Sequence, residues 1–486
     1  EIGACDWSSD VCSSDLETIS SSASNCSTVP NRVRPCHTRA TRRNPLFSRV
    51  PSATVSEDAG GALGLLRNAE FRALASTAFA RSQAYSTIII ALALYADLFS
   101  TSGFVEGLFG TVFAATQLLI VLPLGRYVDT NNAKRILLLG LGINVVTFVG
   151  FSLVSAVEHV LLVRILQGLG ASILWITGTT VVGEIGPEDA RGRWLGAYNQ
   201  VGAFSSLAGD VVGGLLLTLY GFTLTYAVLS GVTLLSGLLV YRHLRDDPGG
   251  QADPDDQGSV ETFRLLLDRT TVRALVIFRL GLSFGKMAVL IFLPIYARTG
   301  FGMSALFVGG ILAGGKLTKA LTQGYVGTLT DRIGRKHRFV FVGAMLYALG
   351  TALIPLAEFA VGIVPAVAVP IPGSAGPITL PPAFFPLFLA FGVCGVADSI
   401  RLPASMALFV EEGEQFDAVA GSMSLRSIAW KVGQVVGPVT VGALWDYTDV
   451  FVAFWTASAL IAVATLAFAV LYRVDPAEGV ETATAD

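Results

Sequence analysis

Residues 327–336 read GTLTDRIGRK, and residues 125–135 read GRYVDTNNAKR. Both stretches set a Gly four residues before an Asp and end in basic residues. One holds Gly327, Asp331, Arg332, Gly334, Arg335 and Lys336; the other holds Gly125, Asp129, Lys134 and Arg135. Each is flanked by apolar runs of about 20 residues, long enough to cross hydrocarbon, whereas its own charges are expensive to place there. Each is therefore a short loop between membrane spans, and its double occurrence points to a duplicated membrane protein.

Working outward, apolar runs lie near 73–97, 104–124, 136–157, 160–183, 194–218, 222–242, 272–297, 303–326, 338–358, 384–410, 421–444 and 450–472. Only 14% of the 486 residues are charged and 52% are hydrophobic, against about a quarter charged in soluble domains. Lys and Arg fall almost entirely in alternate loops, with Arg298 the exception. That asymmetry places both termini in the cytoplasm and requires an even number of spans. Segment 359–382 is apolar but rich in Pro and Gly. It reads as an outer loop, because such a backbone cannot satisfy its own hydrogen bonds in lipid.

The two halves repeat in register. Arg72-Ala-Leu opens the first span and Arg273-Ala-Leu the seventh, and Tyr95-Ala and Tyr296-Ala follow at the same spacing of 23 residues. Gly209-Asp-Val-Val-Gly213-Gly214 in the fifth span matches Gly437-Pro-Val-Thr-Val-Gly442 in the eleventh. The expected fold is an all-α membrane protein of twelve transmembrane helices in two six-helix repeats. Residues 69–243 and 272–474 form the halves, 244–271 a cytoplasmic linker, and 475–486 a disordered tail. Residues 1–68 are expected to be non-native or disordered. The chain starts at Glu1, residues 1–16 resemble a translated sequencing adapter, and the Arg- and Ser-rich stretch after them reads as upstream sequence or a transit peptide.

At this point the residues resemble a family, the major facilitator superfamily, across 70–473. Gly327-x-Leu329-x-Asp331-Arg332-x-Gly334-Arg335-Lys336 is similar to that family's loop signature, with Gly125 to Arg135 a degenerate copy. Arg164-x-x-Gln167-Gly168-x-Gly170-Ala171 is similar to its fourth-helix motif. The resemblance implies two six-helix halves around a central site, alternating access and a gating role for the loop motifs. In physical terms, Gly125 and Gly327 would allow close helix packing, and Asp129 and Asp331 would face helix N-termini, where the macrodipole favours an anion. Simple anchoring by the basic residues is the plainer alternative. The family's fourth-helix Arg is often tied to proton coupling, which suggests an Arg164–Asp97 pair; Arg164 holding backbone carbonyls is the other reading.

Charges inside the spans mark a cavity, because an ionised group in hydrocarbon is costly. Candidates for a substrate cavity are Arg81, Gln83, Tyr85, Gln117, Arg279, Lys286, Lys316, Lys319, Asp398, Arg401 and Lys431. Lys286 with Arg279, and Lys319 with Lys316, fall on single helical faces. Acids at depth are few: Asp210, Asp398 and, nearer one end, Asp97. Three readings are open. The excess of bases attracts an anionic substrate; Asp398 forms a structural ion pair with Lys286, Lys316 or Arg401; or Arg279 and Lys319 snorkel to the interface. Asp210 stands where the family's antiporters carry a proline, as a coupling acid or the partner of Arg81 or another base.

Other classes lack their residues. Gly310-Ile-Leu-Ala-Gly-Gly315-Lys316 nearly spells a phosphate loop, but Leu317 replaces Ser/Thr and no strand precedes it. The four histidines are scattered, Cys394 is alone in the spans and no Cys-x-x-Cys occurs, so no metal site, cofactor or enzyme chemistry is expected. A net charge of -3 offers nothing to nucleic acid. The expected function is a secondary transporter in the plasma membrane, monomeric and proton-coupled, carrying a small solute such as an organic anion. The alternatives are a drug/proton antiporter and, more remotely, a membrane receptor or scaffold.

Overall fold

The computed structural model describes residues 62–187, 190–246, 260–370, 376–416 and 418–474. Of the opening expected to be non-native or disordered, 1–68, residues 1–61 lie outside the described residues, as do the centre of the linker and the tail, whereas 62–68 are ordered: they hold a short helix and the cap of the first long one. The chain forms α1 (Ala62–Leu65), α2 (Ala69–Phe99), α3 (Gly103–Thr130), α4 (Ala133–Ser152), α5 (Val157–Ile185) and α6 (Arg191–His243). After the linker come α7 (Val260–Asp268), α8 (Thr270–Thr299), α9 (Ala305–Ile333), α10 (Lys336–Leu353), α11 (Phe384–Glu414), α12 (Val419–Tyr447) and α13 (Val450–Val474).

Local sequence explains where several begin and end. Asn68 caps α2 by accepting from the N–H groups of Glu70 and Phe71 at 2.9 and 3.1 Å, and Asn132 caps α4 by accepting from Arg135 N. Gly334 ends α9 at φ +66°, a conformation open to glycine at no steric cost. α6 runs for 53 residues but breaks at Gly221, φ 68° and ψ −164°. The fifth and sixth expected spans are thus two rods joined by one glycine. Counting α6 twice, the described residues hold twelve long rods. Eight of the helices are long and apolar enough, by length and composition, to cross a membrane.

Segment 359–382 lacks a spanning helix, as expected from its prolines. A 3-10 helix, Pro355–Ala360, leads into an antiparallel hairpin in which Val367–Val369 pairs with Ile378–Leu380. The linker is less plain than its composition suggested. α7 lies within it and buries Leu266 against Val272 of α8 and Leu425 of α12, while Arg269 stacks on Phe416 at 4.8 Å.

α2 to α6 pack on one another, as do α8 to α13, and the two bundles meet through α3 with α12, α6 with α9, and α2 with α8. Under the repeat, α3 corresponds to α9 and the first rod of α6 to α12. The first two interfaces are thus equivalents exchanged by a pseudo-two-fold. Both rest on glycine. A Cβ on Gly442 of α12 would collide with the carbonyl oxygen of Gly103, and one on Gly309 of α9 with that of Asp210. Large apolar side chains cover the outside, Leu119 being 79% and Leu321 72% exposed. An apolar exterior of that kind suits lipid as solvent.

Candidate functional site

Between the bundles lies a cavity whose free space, counting the open solvent at its mouth, is about 780 Å³. Tyr85, Ile89, Met287, Leu290, Leu312, Tyr347 and Phe391 give it an apolar wall, and Lys286, Lys316, Lys319, Asp210, Asp398 and Gln434 give it polar points. Of the residues expected to form a site, Tyr85, Lys286, Lys316, Lys319, Asp210 and Asp398 therefore converge on one space.

Two ion pairs organise the charge, and they differ in kind. Lys286 Nζ lies 2.7 Å from Asp398 Oδ2, and Arg401 Nη2 binds Asp398 Oδ1. One acid is thus held by two bases, all three in the C-terminal bundle. Lys316 Nζ lies 2.7 Å from Asp210 Oδ2, across the interface between bundles. Lys316 also donates to Ser86 Oγ at 2.8 Å and to Ser206 Oγ at 2.7 Å, and the two hydroxyls are 2.7 Å apart. Asp210 is fully buried. A buried ion pair is costly unless further hydrogen bonds satisfy its members, and the two serines supply them to Lys316. Of the three partners proposed for Asp398, Lys286 and Arg401 are correct and Lys316 is not; Asp210 takes a cavity base, Lys316, as its ion-pair partner.

The remaining candidates, Arg81, Gln83, Gln117, Arg279, Arg401 and Lys431, do not line this cavity. Arg279 stacks on Trp430 at 4.2 Å and Arg81 on Trp175 at 4.3 Å. Lys431 Nζ donates to Gln117 Oε1 at 2.5 Å, tying α12 to α3, and Gln83 is buried in α2. Arg279 and Lys319 do not snorkel to the surface: they are 1% and 5% exposed.

The Arg164–Asp97 pair does not form. Arg164 Nε donates to Phe109 O at 2.7 Å and Nη1 to Gln167 Oε1 at 2.6 Å, and its guanidinium lies over Phe113. Arg164 thus pins α5 to α3 through a backbone carbonyl. Asp97 pairs instead with Arg298 at 2.9 Å, joining α2 to α8. In the loop motifs, a Cβ on Gly125 or Gly327 would meet nothing within 4 Å among the described residues, so neither glycine serves close packing against them. Arg332 and Arg335 are exposed, and Lys336 pairs with Glu411. The side chains of Asp129 and Asp331 lie outside what the structure describes.

Sequence reasoning missed Ser86, Ser206, Gln434 and Asp446. The serines carry no signal in a helix full of small residues. Gln434, three residues from Lys431 and so on its face, was open to inference. Asp446 accepts from Gly103 N at 2.6 Å and Phe104 N at 2.8 Å; it caps α3 from the opposite bundle. Together with Asp97–Arg298, a Leu306 N to Thr218 Oγ1 bond of 2.8 Å and a Thr111 Oγ1 to Val435 O bond of 2.7 Å, it joins the bundles from mid-helix to the end far from Ala69.

Two bundles of this topology around a charged central cavity are the architecture of a secondary transporter. The sequence model of the Major Facilitator Superfamily matches residues 74–375 and 283–486, and the chain belongs to that family. Multidrug resistance protein 1 of Bacillus subtilis is 24% identical over 362 residues, 74% of this chain and 86% of the relative. Multidrug resistance protein MdtG of Rahnella sp. is 25% identical over 388 residues, 77% and 87% of the two chains. The fold resembles the inward-facing, occupied crystal structure of a bacterial homologue of the human lysosomal transporter Spinster. The TM-score is 0.63 at 14% identity, covering 83% of this chain and 96% of that one.

Proposed function

We propose that the protein is a proton-coupled secondary transporter of the plasma membrane that carries a small amphipathic organic anion by alternating access. The observation that carries this reading is the charge of the cavity wall. Lys286, Lys316 and Lys319 face two acids, Asp210 and Asp398, in an otherwise largely apolar space. An excess cation in low dielectric attracts an anion strongly, and Tyr85, Tyr347 and Phe391 offer surface for an apolar body. The Lys and Arg distribution sets both termini in the cytoplasm. In that orientation the inter-bundle contacts through Asp446 and Asp97 close the outer side, and the state is inward-facing. All twelve rods then span the membrane, and one chain encloses a complete cavity, so a monomer suffices.

The names of the relatives favour a second reading, export of hydrophobic or cationic compounds in exchange for protons. Uptake by proteoliposomes separates the two. Preferential accumulation of organic anions over neutral and cationic analogues, lost in Lys286→Gln, supports the anion reading. Preferential movement of cationic dyes, unchanged in Lys286→Gln, supports the multidrug one.

A further inference from the structure

Asp210 and the substrate anion compete for one cation, and that competition sets the direction of coupling. Lys316 reaches from α9 into the opposite bundle, where Asp210, Ser86 and Ser206 meet it. With Asp210 ionised, Lys316 is neutralised in place. With Asp210 protonated, the charge of Lys316 is uncompensated by its partner, while the two serine hydroxyls still accept its protons and keep it facing the cavity. An anion entering the cavity can then supply the counter-charge of Lys316. We infer that a proton on Asp210 and an organic anion on Lys316 bind together, which makes the protein an anion/proton symporter. This rests on the anion reading above and adds to it the coupling residue and the sign.

The two acids of the cavity are not equivalent in this role. Asp398 is held by Lys286 and Arg401 within its own bundle, so a proton there would leave two buried cations and release no contact between bundles. Asp210 is paired with one lysine across the interface, so a proton there leaves that single cation without its counter-charge. The groups facing Asp210 are Ser86 of α2 and Lys316 of α9. Lys319 of α9, Lys286 of α8, Asp398 and Cys394 of α11, Tyr85 of α2 and Tyr347 of α10 face the same cavity. None of the other acids in that set bridges the bundles, which leaves Asp210 as the group whose proton state changes what Lys316 can bind.

Linkage fixes the expected sign. If protonation strengthens anion binding, anion binding raises the proton affinity of Asp210 by the same factor. The probe is p-toluenesulfonate, an amphipathic anion whose own charge is constant over the working pH range. Titrated into the purified full chain in detergent, it should bind more tightly as pH falls, by up to about tenfold per pH unit. In weakly buffered solution its addition should take up protons. Asp210→Asn should bind with the affinity of the acidified wild type at every pH and take up none. Asp210→Asn with Lys316→Gln should not bind. Proton uptake by the wild type needs no variant, so a misfolded mutant does not remove the test. Binding that is independent of pH, weaker in acid, or still pH-dependent in Asp210→Asn overturns symport and leaves the anion reading standing. Failure of the probe to bind at any pH overturns both.

Discussion

Arg164 lies over the ring of Phe113 at 4.2 Å and donates to the Phe109 carbonyl, which makes it a clamp between α5 and α3. A clamp of this kind is sensitive to shape as well as charge, because a guanidinium both stacks and donates in its plane. Arg164→Lys should lower the thermal midpoint of the purified protein, by the equivalent of about 1–3 kcal/mol for a buried acceptor left without its donor. It should leave the pH profile of transport unmoved. A shifted profile with unchanged stability would restore a coupling role.

Asp398 neutralises two buried cations. Removing it leaves Lys286 and Arg401, 3% and 0% exposed, facing each other's charge, a defect that costs about 3–5 kcal/mol. Asp398→Asn should therefore fail to accumulate in membranes or unfold at markedly lower temperature, whereas Asp210→Asn should accumulate. Comparing the monodisperse yield of the two variants checks this, and equal yields would contradict the structural role given to Asp398.

Asp446 caps α3 from the other bundle. A side-chain cap is worth about 1 kcal/mol, enough to shift a conformational equilibrium roughly fivefold at that magnitude. Asp446→Ala should open the end near Gly103. A cysteine placed at Leu98, already 61% exposed, serves as a reference, and one placed at the α3 start should react faster with an impermeant maleimide in the variant. No change in rate would show that the cap does not hold the two bundles together.

The glycine contacts between bundles make a steric prediction. Gly309→Ala sets a methyl against the Asp210 carbonyl oxygen, and Gly442→Ala does the same against Gly103. Overpacking of this sort costs about 1–3 kcal/mol. Both variants should disfavour the state described and slow transport, seen as a lower turnover in liposomes with normal protein abundance. Gly125→Ala, where a Cβ meets nothing among the described residues, is the control for this state.

Much of this was legible in the sequence. Apolar run length located the rods, because the bilayer imposes one scale on every span, and the prolines of 359–382 excluded a spanning helix there. The paired landmarks, Tyr95 with Tyr296 and Gly125 with Gly327, revealed the duplication. Depth in a span also brought Lys286, Lys316, Asp210 and Asp398 forward as cavity residues. Partners were not legible. Asp210 and Lys316 lie 106 positions apart on helices whose rotation depends on packing, and nothing local states which base faces which acid. Depth along a span suggested Arg164 for Asp97, but a matching depth does not imply a shared face. The break at Gly221 was not legible either, since a glycine in an apolar run does not reveal a positive φ.

The central claim is that proton movement accompanies an organic anion. The most direct measurement is lumenal pH in proteoliposomes holding a pH-sensitive dye, with p-toluenesulfonate added outside and no imposed gradient. Acidification of the lumen that requires the anion, and that is lost in Lys286→Gln and in Asp210→Asn, is the result predicted. A lumen that stays at constant pH while the anion enters, or that changes pH only with cationic dyes, would contradict it.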